Sequence, residues 1–328
     1  MLKRLAKKMI FKSEFKTGRH KKTGSVNHRL ILMYHGVSLK DLSKLNRRHL
    51  DTDQFEEHLI YFKKNFSILS MPEIVDQKEK GAKPFIALTF DDGYANNLMN
   101  ALPLLEKYNV PATFFIPALL IDKSDAILYA DKVDIVRALT KEKELIFHNR
   151  AFPVNGKIVM KDEFFGKGIY DLLQNLPTQE LQRSMKNFCT RYNFNDSLKE
   201  INSEGYKLMD KKQLKQLADS PMVTIGSHAY SHYALDTCSN QEIENELKSS
   251  KEKLEACIQK EITSIAYPYG IYNKRIISLS KEVGYKTLVA AGEVQDPGSV
   301  VPRVGIISGG TFEQNMLSIH KAFDRFGF

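Results

Sequence analysis

Two adjacent carboxylates, Asp91 and Asp92, close an apolar run within Phe85-Ile86-Ala87-Leu88-Thr89-Phe90-Asp91-Asp92-Gly93-Tyr94. A short apolar run of this kind reads as a buried strand. Two acids at its end are costly near a core unless something pairs with them. A metal ion is one such partner; a plain Asp-Asp-Gly turn is the other reading. His228-Ala229-Tyr230-Ser231-His232 supplies further donors. Its imidazoles stand at i and i+4 and face the same way if the segment takes a helical turn. Two imidazoles and one carboxylate make the three-ligand set of an open catalytic zinc site, with water in the fourth position. A lone His-x3-His is more often structural, but beside an Asp pair at another strand end metal binding is the better reading. Zinc is the first candidate for this divalent site, and the same donors accept cobalt, nickel or iron.

The elements that must position these groups alternate along the chain. Leu30 to Tyr34 reads as a first strand and is followed at once by His35-Gly36. Residues 40–51 are polar and loop-like, and Phe55, Leu59 and Phe62 mark a helix face. The run at 85–90 is the next main strand, followed by a helix carrying Leu98, Leu102, Leu105 and Tyr108 and by the strand Ala112–Ile116. The rhythm breaks between about residues 120 and 208, where helical stretches surround a small hairpin between Leu145 and Val154, and this reads as a mostly helical insertion. Alternation resumes with strands at 222–225, 262–266, 286–290 and 300–306, and the chain closes on a helix with Phe312, Met316, Ile319 and Phe323 on one side. Strand and helix in repeated succession predict parallel βα units and a closed or nearly closed (β/α) barrel. In such barrels the site is built from loops at the C-terminal ends of the strands. His35, Asp91-Asp92, His228 and Tyr269 each lie just past a predicted strand, so they should converge on one rim.

Charge is uneven over the 328 residues. The net charge is +9, and residues 1–30 carry ten Lys or Arg against Glu14 alone, leaving 38 basic and 38 acidic groups elsewhere. The high charge therefore describes a basic N-terminal arm, residues 1–28, ahead of a main domain at 29–328, and it gives no support to nucleic-acid binding by that domain. Leu2, Leu5, Met9 and Phe15 fall near one helical face, which suits peripheral contact of residues 1–19 with an anionic membrane surface as well as a solvated tail. The arm does not read as a signal peptide, and no apolar run is long enough to span a membrane. The expected location is the cytoplasm, with the inner membrane face as the place for such contact. Cys189, Cys238 and Cys257 are odd in number and widely spaced, which predicts neither a disulfide framework nor a zinc cluster.

Taken together, these stretches resemble the polysaccharide deacetylases, carbohydrate esterase family 4, and among them members associated with cell-surface glycan synthesis. The first family motif matches Thr89-Phe90-Asp91-Asp92-Gly93, the second matches His228-Ala229-Tyr230-Ser231-His232, and the third matches in part at Tyr267-Pro268-Tyr269-Gly270. The likeness spans about residues 29–120 and 208–325, including Met33-Tyr34-His35-Gly36-Val37 and Val110-Pro111-Ala112-Thr113-Phe114-Phe115. It implies a distorted, seven-stranded type of (β/α) barrel and metal-dependent removal of acetyl groups from N-acetylated sugars of a glycan or glycolipid precursor. Carried over residue by residue, it implies that Asp92, His228 and His232 hold the metal, that Asp91 is the general base, and that the backbone N–H of Tyr269 helps the metal hold the oxyanion.

The chain departs from the family pattern in two places. The third motif often begins with an arginine that orients the base, and that position is Ala266 here. Arg303 either supplies the missing charge from a late strand or makes a surface ion pair. The family's late Leu-x-His motif has only Leu317-Ser318-Ile319-His320 as a counterpart, inside an amphipathic helix. His320 is read there as a helix-surface histidine, His35 on the first strand end is a rival, and the general acid is unassigned. Two other readings stand beside the deacetylase: a metal-containing carbohydrate-binding protein without catalysis, and a hydrolase of another amide or ester.

Overall fold

A computed structural model describes residues 11, 13–15, 29–40, 42, 45–77, 81–155, 158–159 and 168–328. Its strands in chain order are β1 (Arg29–Tyr34), β2 (Gly36–Ser38), β3 (His49–Asp51), β4 (Ser67–Ile68), β5 (Phe85–Phe90), β6 (Ala112–Ile116), β7 (Glu144–Phe147), β8 (Arg150–Asn155), β9 (Ile158–Val159), β10 (Val223–Ser227), β11 (Ser264–Ala266), β12 (Thr287–Ala291) and β13 (Val300–Gly305). Seven of them, β1, β5, β6, β10, β11, β12 and β13, pair in parallel around a closed ring, because β1 bonds both β13 and β5. Short β4 adds to the start of β5, pairing Ser67 with Phe85. The expected barrel is therefore present. Its thinnest seam lies between β10 and β11, with Ser227 opposite Ile265. A Cβ on Gly226 there would come within 2.6 Å of the Phe115 ring and 2.7 Å of Ser264 Oγ, so glycine lets three strands close up at this point.

Strand alternation sorts the side chains. Ile31, Ala87, Phe115, Ala266 and Val289 fill the barrel interior. Leu30, Leu32, Ile86, Leu88, Phe114 and Leu288 face the outer helices as part of the main core. Thr89 follows Ala87 on the inward face, and Arg303 lies opposite Ile31 on the neighbouring strand. An arginine thus points into the mouth of the barrel rather than out to water.

Several details differ from the sequence expectation. The polar stretch 40–51 is not all loop: β3 pairs in parallel with β2. The helix after β5 begins with a π turn, Asn97–Ala101, before Leu102–Tyr108. From that turn Asn97 donates to His35 O (2.6 Å) and accepts from Val37 N (3.2 Å), while Asn100 donates to Val37 O (2.8 Å), which fixes the chain on either side of His35. The hairpin is part of a three-stranded meander. His148 and Asn149, both left-handed, turn β7 into β8, and β8 then pairs with β9. The predicted helix near 161–174 is Ile169–Asn175, and residues 160–167 lie outside the described set. Of the basic arm, Phe11 and residues 13–15 are described and helical. Phe15 packs against Tyr61 and Phe312, and Glu14 pairs with Lys321 at 3.0 Å, so this end of the arm docks on the helical layer. Leu2, Leu5 and Met9, the other residues of the expected apolar stripe, lie outside the described residues. No described helix is long and apolar enough to cross a membrane, and the three cysteines are free.

Residues between Leu128 and Tyr206 build a second apolar cluster around Val133, Phe147, Phe152, Leu173, Met185 and Phe188. A buried polar network joins it to the barrel. Asp134, on helix Tyr129–Leu139, accepts from Arg48 (2.9 Å), Arg137 (2.9 Å) and the Tyr170 hydroxyl (2.7 Å). Asp131 on the same helix accepts from Arg48, Asn46 (2.8 Å) and the Tyr94 hydroxyl (3.0 Å). Removing one member of a buried ion pair leaves its partner uncompensated, at a cost of about 3–5 kcal/mol. Asp134→Ala should therefore lose about that much stability, read as a fall in the urea midpoint; a midpoint within error of wild type would contradict this role for the network.

Candidate metal and catalytic site

Asp91 and Asp92 leave the barrel mouth where β5 ends, and both are 3% exposed. The backbone separates their directions. Asp91 N–H still bonds to Tyr34 O (3.0 Å), continuing the strand pairing, whereas Asp92 turns left-handed with φ 73°. Asp91 therefore keeps the inward direction of Ala87 and Thr89, and Asp92 swings toward the loop after β10.

That loop carries both imidazoles, but not on a helical turn. His228 N–H bonds to Ile116 O (2.9 Å), then Ala229 (φ 59°) and His232 (φ 60°) take left-handed conformations that fold the loop back. Glu246, from helix Asn240–Ile258, accepts the N–H groups of Tyr230 (3.0 Å) and Ser231 (2.7 Å) and pins the excursion. Asp92 Oδ1 lies 3.5 Å from His228 Nε2 and 3.2 Å from His232 Nε2. Donor atoms of the three residues all fall within 4.8 Å of one another, and each side chain is buried. His228 Nδ1 faces the Ala266 carbonyl at 2.7 Å. A carbonyl only accepts, so Nδ1 carries the proton and Nε2 turns its lone pair toward Asp92. In a tetrahedral site with bonds of about 2.0–2.1 Å, neighbouring donors stand roughly 3.3 Å apart. The observed 3.2 and 3.5 Å separations fit a divalent cation held among these donors.

Asp91 has a different partner. Arg303 is 1% exposed and grips both carboxylate oxygens at 2.7 Å, with a further bond to Thr89 Oγ1 (3.0 Å) and its guanidinium 5.0 Å above the Phe115 ring. The alternative of a surface ion pair is thereby corrected, since β13 points Arg303 inward. Asp91 Oδ2 lies 3.9 Å from His228 Nε2, beside the candidate Asp92, His228 and His232 group.

Burial raises the pKa of both acids, and their cationic neighbours outweigh it. Arg303, helped by His228, holds Asp91 below the ordinary carboxylate range. The close approach of His228 and His232 holds Asp92 well below it. Burial opposes protonation of both imidazoles; Asp91 and Asp92 nonetheless raise the pKa of His228, while that of His232 falls. Both acids are therefore ionised at neutral pH.

The remaining candidates divide. Tyr269 has a left-handed backbone (φ 59°) and lays its ring against His232 with centroids 4.9 Å apart. His35 lies within electrostatic range of Asp92 and Asp91, and burial lowers its pKa. His320 is not a surface residue: it is buried in the helical layer, where Nε2 meets the Tyr61 hydroxyl (2.9 Å) and the ring packs on Phe66. Sequence reasoning missed Arg48, whose Nε stands 4.0 Å from Asp92 Oδ2, and the Tyr94, Asp131 and Asp134 groups that hold it. Its only sequence signal was the polar cluster Asn46-Arg47-Arg48-His49, which reads as a solvated loop. Asp131 is pushed up to about 7 by burial despite the neighbouring Arg48.

The model of the polysaccharide deacetylase family matches residues 78–150 and 179–288, more than half of the chain. The chain belongs to the polysaccharide deacetylase family. As a deacetylase it is a hydrolase, in agreement with the expectation from its first two motifs. It is 21% identical over 296 residues to YxkH of Bacillus subtilis (strain 168), whose name assigns it provisionally to polysaccharide deacetylases, covering 89% of this chain and 69% of that one. Its fold resembles the Streptococcus pyogenes deacetylase PplD in complex with acetate, with a TM-score of 0.56, 19% identity and coverage of 90% and 99% of the two chains. It likewise resembles IcaB from Ammonifex degensii, with a TM-score of 0.56, 15% identity and coverage of 90% and 97%.

The Arg303–Asp91 pair makes the pH response of this deacetylase testable. The depressed native pKa means that stabilisation by the pair is full above the ordinary carboxylate value, about 3.9, and is lost as pH falls through the lower native value. Without Arg303, burial is opposed only by the weaker neighbours and the Asp91 pKa rises. Arg303→Met should move the acid limb of kcat/KM to higher pH, and Arg303→Lys should move it less. An unmoved limb in both folded variants would show that Arg303 does not set the ionisation of Asp91.

Proposed function

We propose that the protein is a metal-dependent N-deacetylase of amino sugars in a glycan or glycolipid precursor, with Asp92, His228 and His232 as metal ligands and Asp91 as general base. The observation that carries this reading is the unequal treatment of two adjacent acids: Asp92 meets two imidazole nitrogens, and Asp91 is gripped by Arg303 beside them. A divalent cation held by the three ligands would polarise the amide oxygen and lower the pKa of water. Zinc is the metal we propose first.

Asp91 does its work as a base held in place. Arg303 keeps it ionised and fixes its plane, while its proximity to His228 puts an acceptor next to the ligand group. The attacking water gives its proton to Asp91 as its oxygen bonds to the acetyl carbon. The backbone N–H of Tyr269 is proposed as a donor to the oxyanion. When the carbon–nitrogen bond breaks, the departing nitrogen takes a proton, leaving acetate and a free amine. Arg303 takes the positioning role that the family's third motif often gives to an arginine at the place of Ala266. His35 is a supporting group. The general acid stays unassigned, and His320 has no place in this scheme. We also propose residues 29–328 as one catalytic unit in which about 120–208 is an insertion.

Asp91→Asn should cut acetate release from N-acetylhexosamine substrates by about 10²–10⁴-fold while leaving zinc binding by calorimetry intact. Chelation should abolish release and zinc should restore it. Full activity in a folded Asp91→Asn protein, or activity unaffected by complete metal removal, would overturn the assignment.

A further inference from the structure

A groove of about 300 Å³ lies in the region between β6 and β10, and its lining shares no residue with the Asp91, Asp92, His228 and His232 group. Its volume is at the lower edge of small-ligand sites. One wall is a face of helix Thr178–Arg191. Counting from Glu180, the residues Arg183, Ser184, Asn187 and Arg191 follow at i+3, i+4, i+7 and i+11, which is one helical face. The other wall is the left-handed His148–Asn149 turn between β7 and β8. Phe188 closes the floor, its ring 5.7 Å from that of Phe147. The walls are tied together: His148 Nδ1 and Ser184 Oγ are hydrogen-bonded at 2.9 Å, and Ile146 N–H donates to the Tyr192 hydroxyl (2.7 Å).

The lining carries two guanidinium groups against one carboxylate. Arg48 and Arg137 of the neighbouring network are held by Asp131 and Asp134, but neither Arg183 nor Arg191 bonds a carboxylate among the described residues. Arg191 meets only the Tyr192 ring, at 5.9 Å. A last-turn arginine complements the helix dipole; Arg183, in mid-helix, does not. The two stand about 12 Å apart along the helix axis, with the Asn187 amide halfway between them. Two planar donor forks and an amide donor suit a phosphate group. At the other end, Glu180 Oε2 stands 4.0 Å from His148 Nε2. The carboxylate there keeps an anion toward Asn187 and Arg191 and accepts from hydroxyl groups. A ligand with a phosphate at one end and a hydroxylated ring at the other matches this lining, which is the chemistry of a sugar phosphate.

We propose that this groove is a separate binding site for a sugar phosphate ester, with Arg183, Asn187 and Arg191 on the phosphate and Glu180 with His148 on the sugar hydroxyls. The site is independent of the deacetylase reading, since it uses none of those residues. Glucose 1-phosphate is the probe, because it has no acetamide for a deacetylase to act on. It would be titrated calorimetrically into the full, zinc-loaded chain, beside glucose and inorganic phosphate. Sedimentation with vesicles of phosphatidylcholine and phosphatidylglycerol tests a lipid headgroup as the source of the phosphate.

Glucose 1-phosphate should bind at least about tenfold more tightly than glucose, the scale of one charge-assisted hydrogen bond, and inorganic phosphate should compete with it. Joint Arg183→Met and Arg191→Met substitution should bring that ratio close to one, and the corresponding double lysine variant should keep part of it. Both arginines are exposed, so their replacement leaves the core untouched. Asn187→Trp, which fills the groove from the helix face, should abolish binding and serves as a second variant. Equal affinity for the two sugars, no binding of glucose 1-phosphate, or a ratio unmoved by these substitutions would overturn the proposal; the last result would place the phosphate elsewhere, at the zinc for example. Arginine-dependent sedimentation with anionic vesicles in the absence of glucose 1-phosphate binding would also overturn it, in favour of a lipid headgroup. Acetate release from N-acetylhexosamine substrates is scored on the same samples. Release without phosphate preference sinks the groove alone, whereas arginine-dependent binding with no release from any substrate sinks the reaction reading and leaves the groove.

Discussion

Two ionised carboxylates on consecutive residues, nearly sealed from water, persist only if each has its own cation or donor set. The protein answers by separating them. Arg303 takes both oxygens of Asp91 from inside the barrel, and the two imidazoles face one oxygen of Asp92 from the rim. Arg48 stands 4.0 Å from the other oxygen of Asp92. The closed barrel is what makes this separation available, because β13 and β5 both border β1 and so place an arginine of one strand within reach of an acid of the other. An open sheet with the same strands would leave them on distant edges.

The separation has a conformational cost. Asp92, Ala229, His232 and Tyr269 all have positive φ, and Asp92, His232 and Tyr269 meet at the site. Left-handed conformations are ordinary at the Asn109 helix cap and in the His148–Asn149 turn. On Ala, His or Tyr they cost about 1–3 kcal/mol each and persist only where the surroundings determine them. Here the surroundings are the Glu246 carboxylate under the His228–His232 loop and the π turn that fixes the chain on either side of His35. The strain lies where the lone pairs must converge, which is where a binding constellation would need it.

The region between β6 and β10 contributes more than bulk. Its helix Tyr129–Leu139 sends Asp131 and Asp134 to Arg48. One short element therefore ties the second apolar cluster to the polar shell around Asp92. The stability of that region and the shape of the site are coupled through a few buried charges.

Much of this was legible in the sequence because periodicity and local chemistry are short-range signals. The strand ending at Asp91-Asp92, the His-x3-His segment and the repeated βα rhythm identified the barrel, its rim and the candidate ligands. Helical spacing was the wrong reason for the histidines to meet; they converge through a left-handed loop whose geometry depends on Glu246, a residue on another element. Arg303 could be read only as a choice between a base partner and a surface charge, since which face of a late strand points inward depends on closure with β1. Arg48 looked like part of a solvated loop, and His320 like a helix-surface residue. The sequence by itself determined the donor types and the strand ends that carry them. The tertiary structure decided which charge neutralises which, because the Arg303–Asp91, Arg48–Asp131 and His320–Tyr61 contacts join residues 212, 83 and 259 positions apart, and only the folded chain brings such residues within hydrogen-bond reach.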